Sequence, residues 1–108
     1  MSKVFKLKPD EIEDLAVGYG ACIATDLITV YGHKVGYMYR DEPEGLTNGW
    51  VFMSGTETQE YMDNPDNLAM YDTNTIANCD PDIIPFIENP VGTECERDSE
   101  GVLKLVLS

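Results

Sequence analysis

The chain has no apolar run approaching the roughly 20 residues that a membrane-crossing helix needs. Nor does a signal-peptide apolar core follow its basic opening, Met1-Ser2-Lys3-Val4-Phe5-Lys6-Leu7-Lys8. A cytoplasmic address is the expectation. Cysteine is scarce: Cys22, Cys79 and Cys95 stand far apart and no Cys-x-x-Cys occurs, which excludes a disulfide scaffold, a zinc knuckle and a thioredoxin-type redox pair. Three reduced, partly buried thiols are the expectation instead. Histidine occurs once, as His33 beside Gly32, a turn position where a general base would still need a nucleophile and an orienting acid. Glycine-rich phosphate loops, nucleophile elbows and metalloprotease helices are missing, and with them the signatures of the common enzyme classes. There is no internal repeat, low-complexity tract or Gly/Ser linker, so 108 residues read as one domain, 1–108, too short for two independent cores.

Positive charge is also missing, but only from part of the chain. Residues 1–40 balance five acids (Asp10, Glu11, Glu13, Asp14, Asp26) against five bases (Lys3, Lys6, Lys8, Lys34, Arg40). Residues 41–100 carry fifteen acids and one base, Arg97, a net of −14 that Lys104 brings to −13 for the whole chain. A nucleic-acid binder needs the opposite sign to neutralise phosphates, and an anionic membrane surface would repel this chain. Such a field suits a basic protein partner or a cation; it also serves solubility. A hydrophobic content of 43% keeps the composition that of an ordinary globular protein.

Local patterns give a provisional order of elements. Val4 to Leu7 reads as a short strand, and Pro9 then opens a helix whose apolar face is Ile12, Leu15 and Ala16, closed by Gly18 and Gly20. Ala21 to Tyr31 is rich in β-branched residues. With a turn at Gly32-His33 and an alternating Val35 to Tyr39, it predicts a hairpin. Asp41 to Gly49 is a polar loop, and Trp50 to Met53 a strand with Trp50 and Phe52 on one face. Ser54 and Glu57 have capping-box spacing ahead of a helix that Asn64-Pro65 stops. Asp72 caps a turn over Thr73 to Asn78, and Asp80-Pro81 starts a short helix over Ile83 to Ile87 that Pro85 must shorten or kink. Val102 to Leu107 is a closing strand. The class that follows is α+β: an antiparallel sheet with short helices packed on one face.

No residue stands out as catalytic, and no cofactor or metal is called for. The carboxylates are the residues with chemistry to offer. Glu57, Glu60, Asp63 and Asp66 cluster within ten residues, with Glu42 and Glu44 just upstream. Without basic neighbours such a group is either a solvated face or a surface for a basic partner. No stretch has the spacing of an EF-hand loop, yet a carboxylate pair or cation site among Glu57 to Asp66, in a small enzyme or cation-binding domain, remains the rival reading. Trp50 and Phe52 read as core, whereas Tyr37, Tyr39, Tyr61 and Tyr71 could include exposed anchors of the kind favoured at interfaces.

One stretch resembles a known family. Gly49-Trp50-Val51-Phe52 with Ser54-Gly55, Glu60-Tyr61, Asn64-Pro65-Asp66-Asn67, Asn74-Thr75-Ile76, Asp80-Pro81 with Ile83-Ile84-Pro85, and Pro90 with Gly92 follow the order and spacing of the bacterial family named immunity protein thirty-three. The segment from Ala21-Cys22-Ile23 through Val35 to Arg40 is similar too. The resemblance implies a role in polymorphic toxin systems, in which the protein binds and neutralises a cognate toxin, and no catalytic residues come with it. Joined to the charge, it predicts a cytoplasmic binding module, not an enzyme. Its candidate contacts to a basic toxin are Glu42, Glu44, Glu57, Glu60, Asp63 and Asp66.

Overall fold

Trp50 and Phe52 sit two residues apart on one strand, so both side chains leave the same face. Both are fully buried, stacked with ring centroids 5.9 Å apart. A buried indole must place its N–H, and that of Trp50 donates to the Ile87 carbonyl at 2.9 Å. Around this pair the computed structural model, which describes residues 4–106, builds a six-stranded sheet. Its strands are β1 (Ala21–Thr25), β2 (Tyr37–Arg40), β3 (Thr47–Met53), β4 (Leu68–Asp72), β5 (Glu94–Arg97) and β6 (Leu103–Leu105). The spatial order is β4-β1-β3-β2-β5-β6. Helices α1 (Asp26–Thr29), α2 (Gln59–Asp63) and α3 (Thr73–Cys79) are short, and a 3-10 helix spans Pro81–Phe86. Ile28 of α1, Ile76 and Ala77 of α3, and Ile83 pack with Cys22, Ala24, Met38, Trp50, Phe52 and Cys95 of the sheet into one core.

The α+β class is as expected, but the sheet is mixed. β1 runs parallel to β3 and antiparallel to β4, and the remaining pairs are antiparallel. The expected hairpin from Ala21 to Tyr39 does not form, because β3 lies between β1 and β2. β1 ends at Thr25, and Asp26 to Thr29 make one helical turn that buries Ile28 and Thr29. Core packing there overrides the strand preference of the β-branched residues.

The N-terminal helix is likewise reduced, to a 3-10 turn over Pro9–Glu11. Asn74 and Asn78, on α3, supply what the helix would have supplied. Asn74 Oδ1 accepts from the amides of Leu15 and Ala16, Asn78 Oδ1 accepts from that of Glu13, and both side-chain amides donate to the Glu13 carbonyl. With its backbone satisfied from outside, the segment has no need of helical bonds. Val4 to Leu7 form no strand, and the closing strand is three residues long, with Leu107 outside the described residues.

Caps and close approaches fix the connections. Asp72 caps α3 through the Asn74 amide, and Asp80 caps the Pro81 helix through the Asp82 amide, as their positions predict. Glu57 does reach back to the Ser54 amide, but α2 starts later than expected: its cap is Thr58, whose hydroxyl accepts from the Tyr61 amide. Two glycines are required by contact. A Cβ on Gly36 would lie 1.9 Å from the Ser54 carbonyl oxygen, and one on Gly49, at φ +95°, would lie 2.0 Å from that of Asp41. Gly49 thus lets the chain at Asp41 close against β3, so the strand begins at Thr47 inside the expected loop.

Candidate partner-binding surface

Core residues occupy alternate positions on every central strand, so the residues between them face the other way. Cross-strand register places Met70, Ile23, Val51, Tyr39 and Glu94 in one row across five strands. Met53, Tyr37, Glu96 and Lys104 form a second row beside it. Ile23, Val51, Met53, Tyr37 and Tyr39 are half-buried and Met70 is 53% exposed. The helices that supply core residues lie on the opposite side. One face of the sheet is therefore an apolar and aromatic stripe that these helices leave uncovered.

The stripe is ordered by its own contacts. The Tyr37 and Tyr39 rings lie 5.8 Å apart, and the Tyr37 hydroxyl donates to Glu94 Oε1. That bond to a carboxylate, helped by burial, pushes the Tyr37 hydroxyl up to about 12. Burial, then the Asp41 charge, also raises Tyr39. At one end a groove of about 160 Å³ is lined by Ile23 and Val51 of the stripe together with Asp41, Glu42 and Glu44. At the other end a wider groove, about 580 Å³, joins Tyr37 and Met53 to Ser54, Thr56 and His33. His33 is exposed there, in the irregular stretch before β2, its amide bonded to the Leu27 carbonyl.

The six candidate carboxylates fall into three settings. Glu42 and Glu44 are exposed on the loop that enters β3, at the rim of the smaller groove. Glu60, Asp63 and Asp66 are exposed on α2 and the Pro65–Asn67 turn, which leave the far end of β3 and lead into β4. A strand of this length separates the two groups by about 20 Å.

Glu57 stands apart from both. Its carboxylate accepts from the Thr25 hydroxyl at 2.6 Å, the Ser54 amide and hydroxyl, and the Gly55 amide. Burial pushes its pKa up, but these hydrogen bonds outweigh it, so the group ionises below the ordinary glutamate range. Its carboxylate ties the end of β1 to the end of β3. Among the tyrosines, Tyr71 turns inward, sharing a hydrogen bond with Thr29 and meeting Phe5 edge-on, and Tyr61 is half-buried on α2.

Glu94 and Glu96 were not singled out from the sequence. Their strand, Glu-Cys-Glu-Arg, shows only one apolar residue, and nothing local marks it as a sheet element. Among the described residues no group of three or more His, Cys, Asp or Glu side chains is placed to hold a metal ion. Among the same residues no helix is long and apolar enough to cross a membrane. The thiols match expectation: Cys22 and Cys95 are buried, Cys79 is half-buried and all three are free. Burial, only partly offset by a hydrogen bond with Thr73, pushes Cys22 up to about 12, far from a reactive thiolate.

This surface has the composition of a docking face: apolar and aromatic at its centre, carboxylate-bearing at its rim. The model of the family described as the immunity protein Imm33 domain matches residues 22–106. No curated protein and no solved structure matches the chain.

Proposed function

The chain belongs to the Imm33 immunity-protein family, and from that premise we propose that it acts as one domain that binds and neutralises a cognate basic toxin through the uncovered face of its sheet. The observation that carries the choice of surface is the row from Met70 to Glu94, apolar along its length and flanked by carboxylates. Four strand spacings of about 4.8 Å by a strand length of about 20 Å give a face of about 400 Å². An ordinary interface removes about 800 Å² from each partner. The stripe alone falls short, so the rim acids and the two grooves belong to the same footprint. Tyr37 and Tyr39 are its anchors. Glu42, Glu44, Glu60, Asp63 and Asp66 steer the encounter from both ends. Glu57 contributes by tying the end of β1 to the end of β3 from which the segment bearing Glu60, Asp63 and Asp66 departs.

Rim charges act over about the Debye length, about 8 Å at physiological salt, so they govern how fast partners meet more than how slowly they part. The test is stopped-flow binding to the product of the reading frame adjacent to this gene, at several salt concentrations. Association is expected to slow with ionic strength while dissociation changes little. Replacing Glu42, Glu44, Glu60, Asp63 and Asp66 by their amides should slow association in the same way and weaken protection of cells that express the toxin. Association indifferent to salt, with protection unchanged in that variant, overturns the acidic rim. Full affinity in a Tyr37→Ala, Tyr39→Ala double variant overturns the stripe.

A further inference from the structure

β4 is an outermost strand of the sheet, and the phase of its hydrogen bonding shows what its free edge offers. Antiparallel pairs alternate between those that exchange backbone hydrogen bonds and those that do not. The Thr73 amide donates to the Gly20 carbonyl at 2.9 Å, one step beyond the pair Ala21 and Asp72. Tyr71 with Cys22 and Ala69 with Ala24 are therefore the bonded pairs. The N–H groups of Met70 and Asp72 and the carbonyls of Leu68 and Met70 point away from β1. Among the described residues no other backbone segment pairs with them.

The two edges of the sheet are guarded differently. β6 is only three residues long and carries Lys104 at its centre, 63% exposed and ion-paired with Asp98. Short length and a lysine are the usual protections against an incoming strand. β4 is five residues long, Leu-Ala-Met-Tyr-Asp, in unbroken register with β1, without lysine, arginine, proline or bulge. An edge so open invites another strand.

We propose that β4 accepts an extended, lysine- or arginine-bearing segment of the toxin as a seventh strand. This inference rests on the toxin-binding reading and names the partner element that reading leaves open. Charge selects the occupant. From Asp41 to Asp72 the chain has eight carboxylates and no basic residue, and Glu60, Asp63 and Asp66 lie exposed on the segment that runs into β4. A second copy of this chain would bring the same acids together, so like charge disfavours it. Met70 lies on the uncovered face beside Ile23, so a strand added here extends the stripe instead of competing with it.

Amide hydrogen exchange on the intact protein, alone and with the product of the adjacent reading frame, tests the inference. The Met70 and Asp72 amides exchange fast when free and become protected in the complex, while Ala69 and Tyr71 are protected in both. Proline is tolerated on an edge strand where its missing N–H would have faced solvent. Met70→Pro is thus expected to weaken binding about tenfold or more, while Met70→Ala, which keeps the N–H, weakens it by about threefold at most. Fast exchange at Met70 and Asp72 in the complex overturns the inference, as does equal loss in the two variants. Protection that grows with the protein's own concentration, without toxin, makes a second copy the occupant and also overturns it. If the wild type does not bind the neighbouring product at all, the toxin-binding reading fails and takes this inference with it. If it binds while the edge amides stay fast, only this inference fails.

Discussion

The two faces of the sheet come from the same strands, one residue out of phase, and their side chains are of similar kind. Cys22, Ala24, Met38, Trp50 and Phe52 line one side; Ile23, Tyr37, Tyr39, Val51 and Met53 line the other. What separates them is what the chain lays over them. Helices α1 and α3 and the Pro81–Phe86 helix bury those five side chains of the first face completely, whereas residues of the second remain half-exposed beside Glu94, Glu96 and the loop of Glu42 and Glu44. Strands that are apolar on both sides expect cover on both sides. A fold that supplies only one cover leaves a face whose natural use is association.

The sharpest break in the comparison should come from Trp50→Ala. It removes a fully buried ring from the covered face and orphans the Ile87 carbonyl, and should cost about 3–5 kcal/mol in urea unfolding. Asp80→Ala tests the rim of the same face. Asp80 is 2% exposed, pairs with Arg97 at 2.7 Å and accepts from the Val35 and Asp82 amides. Losing it leaves a largely buried guanidinium short of its partner, so the expected cost is about 3 kcal/mol, above the ~1 kcal/mol of a helix cap alone.

Glu57→Gln, near the uncovered side, should cost about 1–2 kcal/mol at neutral pH by weakening bonds to an ionised acceptor. The depressed pKa of Glu57 means that its stabilisation is present above the ordinary glutamate value of 4.5 and is lost as pH falls below it through the folded value. Acid titration of stability should therefore be shallower in the variant than in the wild type.

Tyr37→Phe is the mildest change, about 1 kcal/mol or less. Because the Tyr37 pKa is raised from 10 to about 12, its bond to Glu94 stabilises fully below pH 10 and fades as pH climbs toward 12. Ultraviolet titration should lose its highest tyrosinate step in the variant. If Tyr37→Phe proved as damaging to folding as Trp50→Ala, the distinction between the faces would collapse.

What the sequence made legible was local. Trp50 and Phe52 on one face, the Asp72 and Asp80 caps and the stop at Asn64-Pro65 each depend on neighbours a few residues away, and each holds in the fold. What it hid was supplied from afar. Asn74 and Asn78 reach back some sixty positions to unwind the expected first helix. Ile28 gives up a strand preference for a place in the core. No element is expected at β4 because Asn64-Pro65-Asp66-Asn67 and Asp72 bracket so short an apolar run, and none at β5 because its charges outnumber its one core residue. The candidate carboxylates were legible as acids, but their division between two ends of β3, and the structural role of Glu57, depend on which strand lies beside which.

The parallel pairing of β1 with β3 carries a consequence for how the chain reaches its native state. β5 and β6 meet across six positions, Arg97 to Leu103, and β2 and β3 across ten, Arg40 to Trp50. Ala21 must wait for Thr47, 26 positions on, and Thr25 for Leu68, 43 positions on. Tyr39 must wait for Glu94, 55 positions on. Closing a loop costs more entropy the longer it is, so the two hairpins form early, and the β1–β4 pairing and the β2–β5 pairing that joins the hairpins come later. β4 is therefore held in the sheet on one side, by one long-range pairing, which makes that edge among the first to loosen.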